Sequence, residues 1–126
     1  MDALKKILNW PREIKFPVWD MLRAFLKHYQ SEALFSGLQA GGEIITSLAI
    51  GLESDFSEAI FTLILKTFCN ALIQNSNKGG MLKNSEIIFI SLKSISTKTQ
   101  LTSANFLAAF SAFLYNYSIA LIEKKL

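Results

Sequence analysis

Chemistry-bearing side chains are scarce in these 126 residues. There is one cysteine, Cys69, and one histidine, His28. A lone cysteine excludes a disulfide within the chain and points to a reducing, cytoplasmic or nuclear setting. One His and one Cys are too few soft ligands for a metal centre, so neither a metal nor a cofactor is expected. Neither residue sits in a nucleophile signature. Gly79-Gly80, between Lys78 and Lys83, lacks the spacing of a phosphate loop. The acids are scattered, apart from Glu53 and Asp55, which read as loop and cap residues. These absences argue against an enzyme. Two prolines and six glycines are too few for a turn-rich β-protein. Only two arginines and no dense basic stripe argue against nucleic-acid binding, although Lys78, Lys83, Lys93 and Lys98 could follow a phosphate backbone. Trp10, Pro11 and Arg12 interrupt any apolar run after the first lysines, so no signal peptide is expected.

What remains is apolar. Hydrophobic residues make up 51% of the chain, charged residues 18%, and ten phenylalanines supply much of the core volume. That composition is globular rather than disordered, and the length suits one domain over 1–126, with 1–15 as an N-terminal extension. The net charge is +3. An acidic zone over 31–55 lies between two basic ones, a layout that fits a basic groove better than a nucleic-acid-binding tail.

The periodicity is helical almost throughout. Leu4–Asn9 reads as a short helical turn ended by Pro11. A helix is expected from Pro17, a good first position because its missing N–H costs nothing there, with Met21, Leu22, Phe25, Leu26 and Tyr29 as its stripe. Ser31–Phe35 adds one further turn, and Gly37 and Gly41-Gly42 are breaks. Glu43–Leu52 reads as a second helix, with strand as the competing assignment. Asp55 and Glu58 resemble a capping box before a long helix to about Gln74, whose apolar residues run nearly all round and predict burial. Asn75–Gly80 reads as a loop, Asn84 or Ser85 caps a helix through Lys93, and Ser94–Gln100 is loop-like. Thr102 or Ser103 caps a final helix to about Lys124.

That final helix belongs to an uncharged run of 24 residues, Thr99 to Ile122, long enough to span a bilayer. Gln100, Asn105, Ser111, Asn116 and Ser118 are scattered through it, which favours burial in protein over a membrane. A faint repeat is present as well. Leu22-Arg-Ala-Phe25-Leu and Leu65-Lys-Thr-Phe68-Cys lie 43 residues apart, and Asn70 and Asn116 lie 46 apart. Both offsets match armadillo and HEAT periods, with chance similarity between apolar helices as the plainer reading.

Three motifs carry a family resemblance. Asn9-Trp10-Pro11-Arg12-Glu13-Ile14 is followed by Phe16-Pro17-Val18-Trp19-Asp20-Met21-Leu22-Arg23; Thr67-Phe68-Cys69-Asn70 lies on the central helix; Leu114-Tyr115-Asn116-Tyr117-Ser118 lies on the last. In order and spacing they resemble the first part of a PUL domain, the module of the phospholipase A2-activating-protein family. The resemblance covers nearly the whole chain and only about the first half of such a domain. It implies an all-α, armadillo-like right-handed helical superhelix of about three repeats, a truncated PUL domain. It further implies a non-catalytic module that binds the C-terminal tail of the valosin-containing-protein AAA+ ATPase, a ubiquitin-selective segregase. Ubiquitin would be met only indirectly, through the parent protein. PUL domains also occur beside peptidase modules, so a regulatory domain of a ubiquitin-like peptidase is an alternative, as are nucleic-acid-binding and membrane-associated helical domains.

In such a superhelix the third helix of each repeat lines a peptide groove. Asparagines there can hydrogen-bond an extended backbone, and cations can attract an acidic tail. The motif matches point to Arg23, Asn70 and Asn116 as groove residues; Lys66 shares a face with Asn70, and Lys27 shares one with Arg23. Each has a plainer reading. Asn70 and Asn116 can bond neighbouring backbone in the core. Lys66 can snorkel to the surface, and Arg23 and Lys27 can decorate a solvated face. Trp10 and Trp19 read as core residues, Cys69 as inert, and His28 as a solvated helix end.

Overall fold

The computed structural model describes residues 15–36, 42–53, 57–98 and 101–125. Seven helices account for nearly all of them: α1 (Lys15–Phe25), α2 (Ser31–Ser36), α3 (Gly42–Glu53), α4 (Glu58–Ala71), α5 (Asn75–Lys83), α6 (Ser85–Ser96) and α7 (Ala104–Lys125). No strand occurs among the described residues. The expected turn at Leu4–Asn9, Trp10 and the break at Gly37 lie outside them.

The helices stack by kind. α4 packs between α1 and α7, α2 packs on α5, and α3 packs on α6. This makes two three-helix units, α2-α3-α4 and α5-α6-α7, preceded by α1. Matching helices begin 44 (α2, α5), 43 (α3, α6) and 46 (α4, α7) residues apart. The fold is all-α and armadillo-like, and the 46-residue interval between Asn70 and Asn116 is the stacking period of its third helices.

The core runs along this stack. Trp19, Leu22 and Leu26 of α1 and its following turn, Ile44, Ile45, Leu48 and Leu52 of α3, and Phe61, Ile64, Leu65 and Phe68 of α4 are almost inaccessible to solvent. Five consecutive residues of α4, Phe61 to Leu65, are buried, so the helix with apolar residues nearly all round is the central one, as its pattern requires. Gly51 lets α3 approach closely. A Cβ there would stand 2.7 Å from Ile64 Cδ1 and 3.2 Å from the Trp19 ring.

Local expectations fail where tertiary contacts intervene. Asn75–Lys83 is a helix, not a loop. Its two glycines disfavour helix, but Gly80 and Met81 are buried, and buried Asn77 donates through Nδ2 to Ser31 Oγ at 2.8 Å. α6 runs on to Ser96 through residues that read as a loop, with Ile95 buried in the core. Asp55, the expected partner of Glu58 in a capping box, lies outside the described residues. Glu58 Oε1 accepts the backbone N–H of Ser103 at 2.8 Å, which ties the start of α4 to the approach to α7. Ser103 in turn accepts the Phe106 N–H through Oγ, the expected cap of α7.

α7 is buried along one stripe only: Phe106, Ala109, Phe113, Tyr117 and Ala120. It is long and apolar enough to cross a membrane by length and composition. Leu107, Leu114, Tyr115 and Ile122 remain exposed, so the expected burial in protein holds along that one stripe. It ends the stack, with protein packed on one side.

Candidate peptide-binding groove

α1, α4 and α7 run in the same direction, as the residues that meet across each seam show. Asn70 Nδ2 donates to the Arg23 carbonyl at 2.6 Å and Gln74 Nε2 to the Lys27 carbonyl at 2.8 Å, so advancing along α4 advances along α1. Across the next seam Glu58 meets Ser103, Phe68 packs on Phe113 with centroids 5.3 Å apart, and Lys78 meets Glu123 at 3.5 Å.

The exposed residues of these helices form matching stripes. On α1 and its following turn they are Pro17, Asp20, Ala24 and Lys27; on α4 and its turn, Ala59, Lys66 and Ile73; on α7, Asn105, Ala108, Ala112, Asn116, Ile119 and Glu123. Asp20, Lys66 and Ala112 are spaced by 46 residues, as are Lys27, Ile73 and Ile119. The structural register is therefore 46. The sequence match of Leu22–Leu26 with Leu65–Cys69, offset by 43, is out of register. It would set exposed Asp20 against buried Leu63 and exposed Ala24 against buried Thr67. Arg23 and Lys27 are consequently not the counterparts of Lys66 and Asn70.

Two clefts follow the α4–α7 seam. One, of about 320 Å³, is lined by Glu58, Thr62, Lys66, Ser103 and Asn105. The other, of about 240 Å³, lies at the far end between Cys69, Leu72, Ile73, Lys78, Asn116 and Ile119. The sequence candidates are distributed along this face. Lys66 and Lys27 are exposed, and among the described residues neither makes an ion pair. Arg23 is half-buried and held by Asp20, with Nη2 at 2.9 Å from Oδ1. Asn70 is half-buried and spends an amide hydrogen on Arg23. Asn116 is exposed and hydrogen-bonds Cys69. Burial pushes the Cys69 thiol pKa up, and the Asn116 bond partly offsets the rise, so the thiol stays protonated near neutrality.

Sequence reasoning missed Gln74, Ile73 and Ile119. Continuing the Lys66–Asn70 spacing by one turn reaches Ile73 and Gln74, and adding the Asn70-to-Asn116 interval reaches Ile119. Lys78, weighed as a phosphate contact, is bridged to Glu123, and Lys98 lies over the Phe61 ring at 4.7 Å. Two of the four lysines that could follow a nucleic-acid backbone are thus engaged within the fold. No cluster of three or more His, Cys, Asp or Glu able to hold a metal occurs among the described residues.

The model of the PUL domain family matches residues 1–125. The chain belongs to the PUL domain family. A PUL domain is a protein-interaction domain. Phospholipase A-2-activating protein of Xenopus laevis is 28% identical over 121 residues, which cover 96% of this chain. The chain spans 15% of that relative's length. No solved structure matches this PUL domain.

Proposed function

We propose that this PUL domain is a non-catalytic adaptor, working in the cytosol or nucleus, that binds the C-terminal tail of the valosin-containing-protein AAA+ ATPase. It would thereby connect that segregase to ubiquitin-dependent degradation, and ubiquitin itself would be met by other parts of the parent protein. Membership of the family supports an interaction role. The observation that carries the reading is the α4–α7 seam: a cleft at each end, with Lys66 exposed along one and Asn116 along the other. Lys27 extends the basic character onto the neighbouring α1 side. Such a face attracts an extended acidic chain by charge and holds it by hydrogen bonds and aliphatic contact. Titration calorimetry with a synthetic peptide of the ATPase tail, at two salt concentrations, tests it. Saturable binding that weakens with salt is the expected result; a folded monomer that releases no heat would end this assignment for the chain.

A further inference from the structure

The two ends of the α4–α7 seam differ in chemistry. At the first cleft Lys66 is exposed, and its acidic neighbour Glu58 is occupied with the Ser103 N–H. At the second, Ile73 and Ile119 present apolar surface, and the local acid Glu123 is bridged to Lys78. Glu123 is thus paired with a cation of the fold and the Glu58 oxygen is turned to a backbone N–H, while Lys66 makes no ion pair among the described residues and is left to act on an incoming chain. The volumes of about 320 and 240 Å³ lie at or below the low end of small-molecule sites, which run from roughly 300 to 1,000 Å³, and both clefts are shallow. Each suits one side chain of a peptide.

The distance between them sets a spacing. Lys66 and Ile73 are seven residues apart on α4 and its C-terminal turn, which is about 10 Å along a helix at 1.5 Å per residue. A chain in the polyproline II conformation covers that distance in about three residues at 3.1 Å each, one full turn, which returns side chains three positions apart to the same side. We propose that the seam reads an acidic peptide in the polyproline II conformation through two side chains three positions apart: a carboxylate at Lys66 and an apolar side chain on Ile73 and Ile119. This rests on the peptide-binding reading above and gives its ligand a pattern.

The test uses the full chain and fluorescein-labelled synthetic peptides in which a single Glu and a single Leu are separated by one to six positions, alongside the ATPase tail peptide. The three-residue spacing should bind best, by about tenfold over its neighbours. Lys66→Gln should remove the benefit of the Glu, and Ile73→Ser with Ile119→Ser should remove the benefit of the Leu. All three substitutions lie at exposed positions, and circular dichroism checks that the helices persist. If the tail binds but ignores both sets of variants and the panel shows no preferred spacing, the two-point reading is overturned and the adaptor function stands. If the spaced peptides bind as described and the tail does not, the two-point reading stands and the adaptor function falls. If neither binds, both are overturned.

Discussion

Asn70 donates its side-chain amide to the backbone carbonyl of Arg23 across the α1–α4 seam, at 2.6 Å. One repeat later Asn116, 46 residues beyond Asn70, meets the side-chain thiol of Cys69, 46 residues beyond Arg23, in place of a backbone carbonyl. Arg23 belongs to the last turn of α1, where carbonyls lack intrahelical partners, so Asn70 also closes a helix end. Asn70 is half-buried, whereas Asn116 lies at an exposed position and keeps contact with the cleft.

Asn70→Ala should cost about 1–2 kcal/mol of stability in urea unfolding, with the slope unchanged, because the Arg23 carbonyl loses its partner in a partly buried seam. Asn70→Asp should cost more, since a carboxylate would face carbonyl lone pairs. Gln74→Ala, which removes the exposed bond to Lys27, should fall within about 0.5 kcal/mol.

Equivalent positions on successive helices should differ sharply in cost. Phe68 is fully buried, and its counterpart 46 residues on, Leu114, is 43% exposed. Phe68→Ala should destabilise by about 3–5 kcal/mol. Leu114→Ala should cost under about 1 kcal/mol, because much of that side chain already lies in water. Equal losses in thermal unfolding would contradict the placement of α7 at the end of the stack.

Tyr117 should make the fold sensitive to alkali. Burial raises its phenol pKa to about 12, with a Ser85 hydrogen bond acting the other way, and its hydroxyl donates to the Met81 carbonyl at 2.8 Å. The folded state therefore holds this proton more tightly than the unfolded state does. Stability from this group is complete below pH 10, the ordinary phenol value, and is lost as pH rises through about 12. Tyr117→Phe should lower stability at neutral pH by about 1 kcal/mol and reduce its fall over that alkaline range.

Cys69 should react slowly with maleimide or a disulfide reagent at pH 8. Its thiol is half-buried, with its pKa raised first by burial and only partly restored by Asn116. The rate should keep climbing above the pH at which a peptide thiol levels off. Reaction at the peptide rate would place Cys69 in solvent.

Lys66→Glu should weaken ATPase-tail binding by at least about tenfold and reverse the sign of its salt dependence, while the melting temperature moves little because the side chain is exposed. Undiminished affinity would remove Lys66 from the groove.

The helical architecture was legible because its signals are local and repeated. The apolar circumference of α4 announced a central helix, Ser103 announced the start of α7, and the three PUL-like motifs gave family and fold together. α5 was not legible, because its helix rests on Asn77 reaching Ser31 and on burial of Gly80, partners that lie in another unit. That Glu58 serves the chain entering α7 was not legible either, because Ser103 lies 45 residues away. The groove residues were legible only in part. The PUL-like motifs pointed to Arg23, Asn70 and Asn116, and helix spacing added Lys66 and Lys27, but neither could show that Asn70 spends a donor on Arg23 or that Ile73 and Ile119 share a cleft.

The sequence by itself determined that this chain is helical, apolar-cored and poor in catalytic side chains, with a repeat only faintly marked. Those properties follow from residue type and spacing along one strand of text, where helix periodicity and missing ligands can be read directly. The tertiary structure decided the register of the repeat, which helix ends the stack, and which polar groups face one another across the seams. Each of these depends on residues more than 40 positions apart, whose meeting is fixed by how whole helices pack.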